Sequence, residues 1–171
     1  LYPAKSLPVY GQIQPFTLKD QSGKNFESVD LSGKVWIADF IFTRCAGPCP
    51  LMSLRMAGLQ KLLGSGSGIQ FISFSVDPDR DTPEALSEYA KRFDADQTSW
   101  HFLTGDKDTI YRLARNDFHL AVSEIPSDDP QAVLWLTHST KFVLVDPTGK
   151  VRGFYDLEGK AALDNLIRDA R

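Results

Sequence analysis

The sequence predicts one α/β domain, a central mixed sheet flanked by helices with an N-terminal hairpin extension. Three observations carry that expectation. Residues 35–42 are a nearly unbroken apolar run and residues 69–76 hold five apolar residues in eight, the composition of strands buried on both faces, as parallel strands are. Each is followed by a segment with helical features. Further on, residues 141–145 and 151–155 flank Asp146-Pro147-Thr148-Gly149, whose turn chemistry predicts a hairpin.

Taken in order, residues 1–14 read as an irregular N-terminal segment broken by Pro3 and Pro8, and residues 15–171 as the domain. Phe16-Thr17-Leu18 and Asn25-Phe26-Glu27 flank Asp20-Gln21-Ser22-Gly23, the signature of a small hairpin. The strand over 35–42 follows, then a loop with two cysteines. A helix is expected over 50–63, with Leu51, Leu54, Leu59, Leu62 and Leu63 as its apolar residues. The Gly-Ser run 64–68 is a connector too short to separate domains. After the strand over 69–76, Thr82 is placed to cap a helix that has Pro83 at its first position and runs to about 93. Residues 100–103 read as a short strand, and a helix is expected over 107–116. Residues 117–137 have weak periodicity and read as a long insertion with room for a hairpin. A last amphipathic helix covers 160–169, with Ala161, Leu163, Leu166 and Ile167 on its apolar side. The order βαβα, hairpin, helix fits a thioredoxin-like sheet.

Bulk properties narrow the function classes. With 42% hydrophobic and 24% charged residues, the chain has an ordinary globular composition. A net charge of −3 and the lack of a basic run give no support for a nucleic-acid surface. No stretch approaches the roughly 18 consecutive apolar residues of a membrane span.

The chemistry-bearing feature is Thr-Arg-Cys-Ala-Gly-Pro-Cys-Pro, which holds the only two cysteines, Cys45 and Cys49. They sit between a strand and a helix start, where the first helical N–H groups stabilise a thiolate. At i and i+4 across the start of a helical turn, both sulfurs can share one face, within disulfide or shared-metal distance. Arg44 is placed to lower the first thiol's pKa or simply to face solvent. Two thiolates suit Cu(I), whereas Cu(II) wants nitrogen as well and structural Zn(II) wants four protein ligands. A third ligand would have to come from His101, His119 or His138.

His101, beside Trp100 in a short strand, has the setting of a half-buried or capping side chain. His119 follows a predicted helix end, where a histidine can meet the carbonyl end of the dipole. His138 stands in Leu-Thr-His-Ser-Thr just before a strand. In α/β sheets the ligand site lies outside the carboxyl ends of the parallel strands. The cysteines follow one such strand, Asp77 follows another, and the loop holding His138 precedes an antiparallel strand and so emerges at the same edge. The residues alone leave His138 open between ligand and ordinary loop residue.

The chain resembles the Sco/SenC family of thioredoxin-fold copper proteins, from about Tyr10 to the C-terminus. Three segments carry the resemblance: the cysteine loop 42–50, the run Phe-Ser-Val-Asp-Pro-Asp-Arg-Asp-Thr-Pro-Glu at 74–84, and Thr-His-Ser-Thr at 137–140 with Val-Asp-Pro-Thr-Gly at 145–149. It implies a copper-binding metallochaperone, with copper, as Cu(I) and Cu(II), on Cys45, Cys49 and His138. Asp77 would lie just outside the metal ligands or else cap its own loop. The implied partner is a copper acceptor such as a cytochrome c oxidase subunit, the implied place the periplasmic side of a membrane, with an N-terminal anchor ahead of Leu1. Redox thioredoxin-like proteins carry a cis-proline before the strand facing the cysteines; Ser139 stands there here, with His138 beside it, which favours copper.

Two other readings share the loop. A thiol–disulfide oxidoreductase would attack with Cys45, resolve with Cys49 and need no histidine. A peroxidase would use Thr43 with Cys45, but the spacing is one residue short of Thr-x-x-Cys and no further resolving cysteine exists.

Overall fold

The computed structural model describes residues 7–45, 47–64, 66–122 and 140–171. Its frame is a six-stranded mixed sheet. Strands β4 (Trp36–Ile41), β5 (Gln70–Ser75) and β6 (Trp100–Leu103) run parallel. Strands β7 (Lys141–Val145), β8 (Lys150–Asp156) and β1 (Gly11–Gln12) continue the sheet antiparallel on the other edge of β4. The spatial order is β1-β8-β7-β4-β5-β6. A separate hairpin, β2 (Thr17–Lys19) with β3 (Asn25–Glu27), is tied to the end of β6 by paired backbone hydrogen bonds between Lys19 and Thr104.

The apolar runs became strands for the expected reason. Every residue of β4 is buried, and it is hydrogen-bonded along both edges, to β5 and to β7. Its alternate residues build two cores. Trp36 and Phe40 point to one face, where they meet Phe74 of β5 and Phe118, with Phe40 and Phe74 stacked at 5.0 Å. Ile37, Asp39 and Ile41 point to the other. That second face is covered by helices α1 (Cys49–Leu63), α2 (Pro83–Arg92) and α4 (Lys160–Ala170). Ser53 of α1 bonds Tyr89 of α2, Tyr89 packs on Phe102 of β6, and Asp169 of α4 accepts from Tyr155 of β8.

Helix α2 begins as its sequence predicts: Thr82 accepts from the Ala85 N–H at 3.2 Å and Pro83 takes the first position. Helix α3 (Lys107–Arg112) is capped by Asp106, which accepts from the Thr109 N–H. It is shorter than expected, because Leu113–Asp117 widens into a π turn. The wider turn buries Phe118 against β4 and lets Asp117 accept from the Gln14 N–H at 3.0 Å.

Two expectations about α1 and the N-terminus need correction. Of the five leucines assigned to the apolar side of α1, only Leu59 and Leu63 are buried; Leu51, Leu54 and Leu62 are exposed. Met52, Ser53, Met56 and Ala57 take the inner positions instead, because a helix with apolar residues on several sides leaves its inner face to be chosen by the sheet. Residues 11–12, within the segment expected to be irregular, pair with β8 as an edge strand. The insertion expected over 117–137 lies largely outside the described residues.

Candidate functional site

The site stands where β4 and β5 end. After β4 the chain turns, with the Cys45 N–H donating to the Phe42 carbonyl at 3.2 Å. Cys49 is the first residue of α1, one position earlier than the sequence suggests. Both thiols are free, and both residues are buried, 6% and 2% exposed.

Hydrogen bonding from the Cys49 thiol, with smaller contributions from the Cys49 and Gly47 backbone N–H groups, outweighs burial and brings the Cys45 pKa down to about 6. Cys49 moves the other way: donating to Cys45, then burial, then the Cys45 charge all hold its proton on. One thiolate with one thiol is the resting state this geometry favours near neutral pH.

Asp77, just past β5, is 5% exposed and is shared by two guanidinium groups, Arg80 at 3.0 Å and Arg44 at 3.4 Å. Its carbonyl also accepts from the N–H groups of Arg80 and Asp81. Its backbone carbonyl shapes the turn, and its side chain meets Arg44, the residue before Cys45.

The histidines separate. His101 packs against the Phe26 ring at 4.9 Å, and burial holds its pKa below the usual imidazole value. His119 adopts φ 55° and lies against Gly11, where a Cβ would come within 3.2 Å of its Nε2. Among the described residues no three His, Cys, Asp or Glu side chains group as metal ligands, so neither histidine joins the cysteines. His138 lies outside the described residues. Strand β7 follows it closely in sequence, and the antiparallel register, Ala38 opposite Val143, starts β7 at the end where β4 finishes.

Three polar residues here escaped the sequence reading. Asp81, fully buried, accepts from the Thr43 N–H at 3.1 Å, the Thr43 hydroxyl at 2.6 Å and the Ser75 hydroxyl at 2.6 Å. Tyr89 meets Ser53 at 2.7 Å, one turn into α1 from Cys49. Asp39 is fully buried, accepts from Ser73 at 2.5 Å and has no partner for Oδ2 among the described residues. The Asp39 signal was present in the sequence as a lone carboxylate inside an apolar run.

Comparison with known proteins agrees with this geometry. The SCO1/SenC family profile matches residues 8–168. The SCO1 protein homolog of Bacillus subtilis is 37% identical over 166 residues, covering 96% of this chain and 83% of the relative. Among solved structures, a SCO1/SenC family lipoprotein from Bacillus anthracis superposes with a TM-score of 0.81 at 36% identity, covering 94% of this chain and 93% of the other. BsSco, described as a member of the Sco family of cytochrome c oxidase assembly proteins with a disulfide switch, gives 0.81 at 35% identity, covering 96% and 95%. Yeast Sco1 with copper bound gives 0.71 at 31% identity, covering 94% and 88%. The chain belongs to the SCO1/SenC family and has its thioredoxin-like fold.

Proposed function

We propose that the protein is a copper-binding metallochaperone that carries copper on Cys45 and Cys49, completes the site with His138, and passes the metal to a partner for cytochrome c oxidase assembly. The observation that carries the reading is the pair of buried free thiols, Cys45 in the loop after β4 and Cys49 at the first position of α1, with the Cys45 pKa brought down to about 6. Soft thiolates select Cu(I), and an imidazole improves the fit for Cu(II). The copper-bound yeast relative and the oxidase-assembly relative support the cargo and the destination.

Copper is the cargo, and the chain's own residues do the rest. Cys45 meets the incoming ion as a thiolate. Holding copper on both sulfurs would require Cys49 to give up its proton as well. The Cys49 and Gly47 N–H groups favour the ionised Cys45 sulfur. Asp77 sits behind the site and holds Arg44 beside it. Release is ligand exchange onto the acceptor's own thiolates or imidazoles. The lipoprotein relative supports an extracytoplasmic, membrane-anchored setting.

The test is a Cu(II) titration of the reduced protein with absorption and EPR spectra, beside His138→Ala. A one-to-one complex with strong sulfur-to-copper charge transfer, altered or lost in the variant, is the expected result. Identical spectra and affinity in the variant would exclude His138 as a ligand.

A second reading, a thiol–disulfide oxidoreductase attacking with Cys45, draws on the same low thiol pKa and on the disulfide switch of BsSco. It requires that Cys45→Ser abolish reduction of a protein disulfide. A wild type that reduces none rules it out.

A further inference from the structure

Thr43 and Arg44, the two residues before Cys45, are each held by a carboxylate from one turn after β5. Arg44 is half exposed and meets Asp77 at 3.4 Å, a contact open to water. Thr43 is gripped from inside: Asp81 takes both its N–H and its hydroxyl, and its second oxygen is shared with the Ser75 hydroxyl. Ser75 ends β5, and Thr43 lies two residues past the end of β4. One buried carboxylate therefore joins the two strand ends that frame the dithiol.

Asp81 is not spent on its own helix. Thr82 caps α2, and the Asp81 side-chain bonds go to Thr43 and Ser75. Burying a carboxylate fully is costly unless its hydrogen bonds are made, and here they converge on the backbone leading into Cys45. A hydrophobic residue would fill the space without that penalty but could not fix the Thr43 N–H.

We propose that Asp81 is a positioning residue of the dithiol site: through Thr43 it fixes the backbone entering Cys45, and so sets where the Cys45 sulfur stands relative to Cys49 and to bound copper. The inference rests on the copper reading for its metal readout and on the dithiol alone for a second readout. The two-point hold is asymmetric. Asp81 and Thr43 form the inner, part-buried tie, while Arg44 and Asp77 form the outer contact.

The test compares Asp81→Ala, Thr43→Val and Thr43→Ser with wild type, all as full chains. Two quantities are read: the charge-transfer and EPR spectra with the rate of copper loss to a chelator, and the metal-free dithiol's rate of exchange with oxidised glutathione. Thr43→Ser keeps both donors and should match wild type. Thr43→Val and Asp81→Ala should shift the spectra, speed copper loss about tenfold to a hundredfold, and change the exchange rate. If Asp81→Ala does not fold, Thr43→Val, which loses only the hydroxyl bond, decides. Variants that melt earlier yet keep wild-type spectra, copper loss and exchange overturn the proposal. A wild type that forms no sulfur-ligated copper complex defeats the copper reading, and the exchange rates then judge Asp81 by themselves.

Discussion

Cys49, the first residue of α1, favours the ionised form of Cys45 through both its thiol and its backbone N–H, and the Cys45 pKa falls to about 6. The reduced protein should gain one thiolate's ultraviolet absorbance with a midpoint near pH 6, and Cys45→Ser should abolish that step. Cys49→Ala removes the S–H donor and should move the midpoint up. The linked effect on stability has a definite sign. Cys45 is ionised in the folded chain where the unfolded thiol still holds its proton, so the advantage of wild type over Cys45→Ser grows from pH 6 toward 9.0. It is lost as the pH falls back through 6.

Asp39 should act in the opposite sense. Burial raises its pKa from 3.8 to about 7, against a smaller lowering by the Ser73 hydroxyl. The folded chain then binds a proton that the unfolded chain has lost, and stability falls as the pH rises from 3.8 through 7. Asp39→Asn keeps an acceptor for Ser73 and carries no charge. Urea unfolding should show little difference between the two proteins near pH 4 and a gain for the variant, on the order of 4 kcal/mol, above pH 7. A difference independent of pH would show that Asp39 ionises freely.

The inner face of α1 is tested by two substitutions six residues apart in the sequence. Met56→Ala empties a fully buried position and should cost about 2–5 kcal/mol. Leu62→Lys alters a side chain that is 64% exposed and should stay within about 0.5 kcal/mol. Comparable losses from both would mean that the helix is rotated from the orientation described.

Arg152 and Asp146 form an ion pair at 2.8 Å with both side chains buried, and Arg152 also donates to the Leu7 and Pro8 carbonyls. Burial opposes ionisation of Asp146, but Thr148, Arg152 and two backbone N–H groups together hold its pKa below the usual carboxylate value. Arg152→Ala leaves that carboxylate without its cation and should cost about 3–5 kcal/mol in chemical unfolding. Residues 7–12 should become accessible to limited proteolysis in the same variant.

Much of this architecture was legible from residues close together in the chain. The apolar runs gave β4 and β5, Thr82-Pro83 gave the start of α2, and Asp146-Pro147-Thr148-Gly149 gave the β7–β8 turn. The cysteine loop was legible as a site because its two thiols, its prolines and the helix start all lie within a few residues. What stayed hidden depends on partners distant in sequence. Nothing near Thr43 announces Asp81, 38 positions later. Strand β1 has two residues, too few for a period, and exists because β8 offers a free edge. The leucines of α1 misled because methionines between them suit the sheet better. His138 was named from family resemblance and topology, and the start of β7 beside the end of β4 is the support the fold offers it.

Strand β4 ends only four residues before Cys45 and is locked along both edges and on both faces. Its amides can exchange with solvent only through opening of the sheet itself, the slowest motion available to such a domain. Loading and unloading of copper at the dithiol, on the proposed reading, would need no such event, since the first turn of α1 and the loop before it lie beyond the ladder. Metal traffic and unfolding would then run on separate clocks, the cargo exchanging while the frame behind the two sulfurs stays closed.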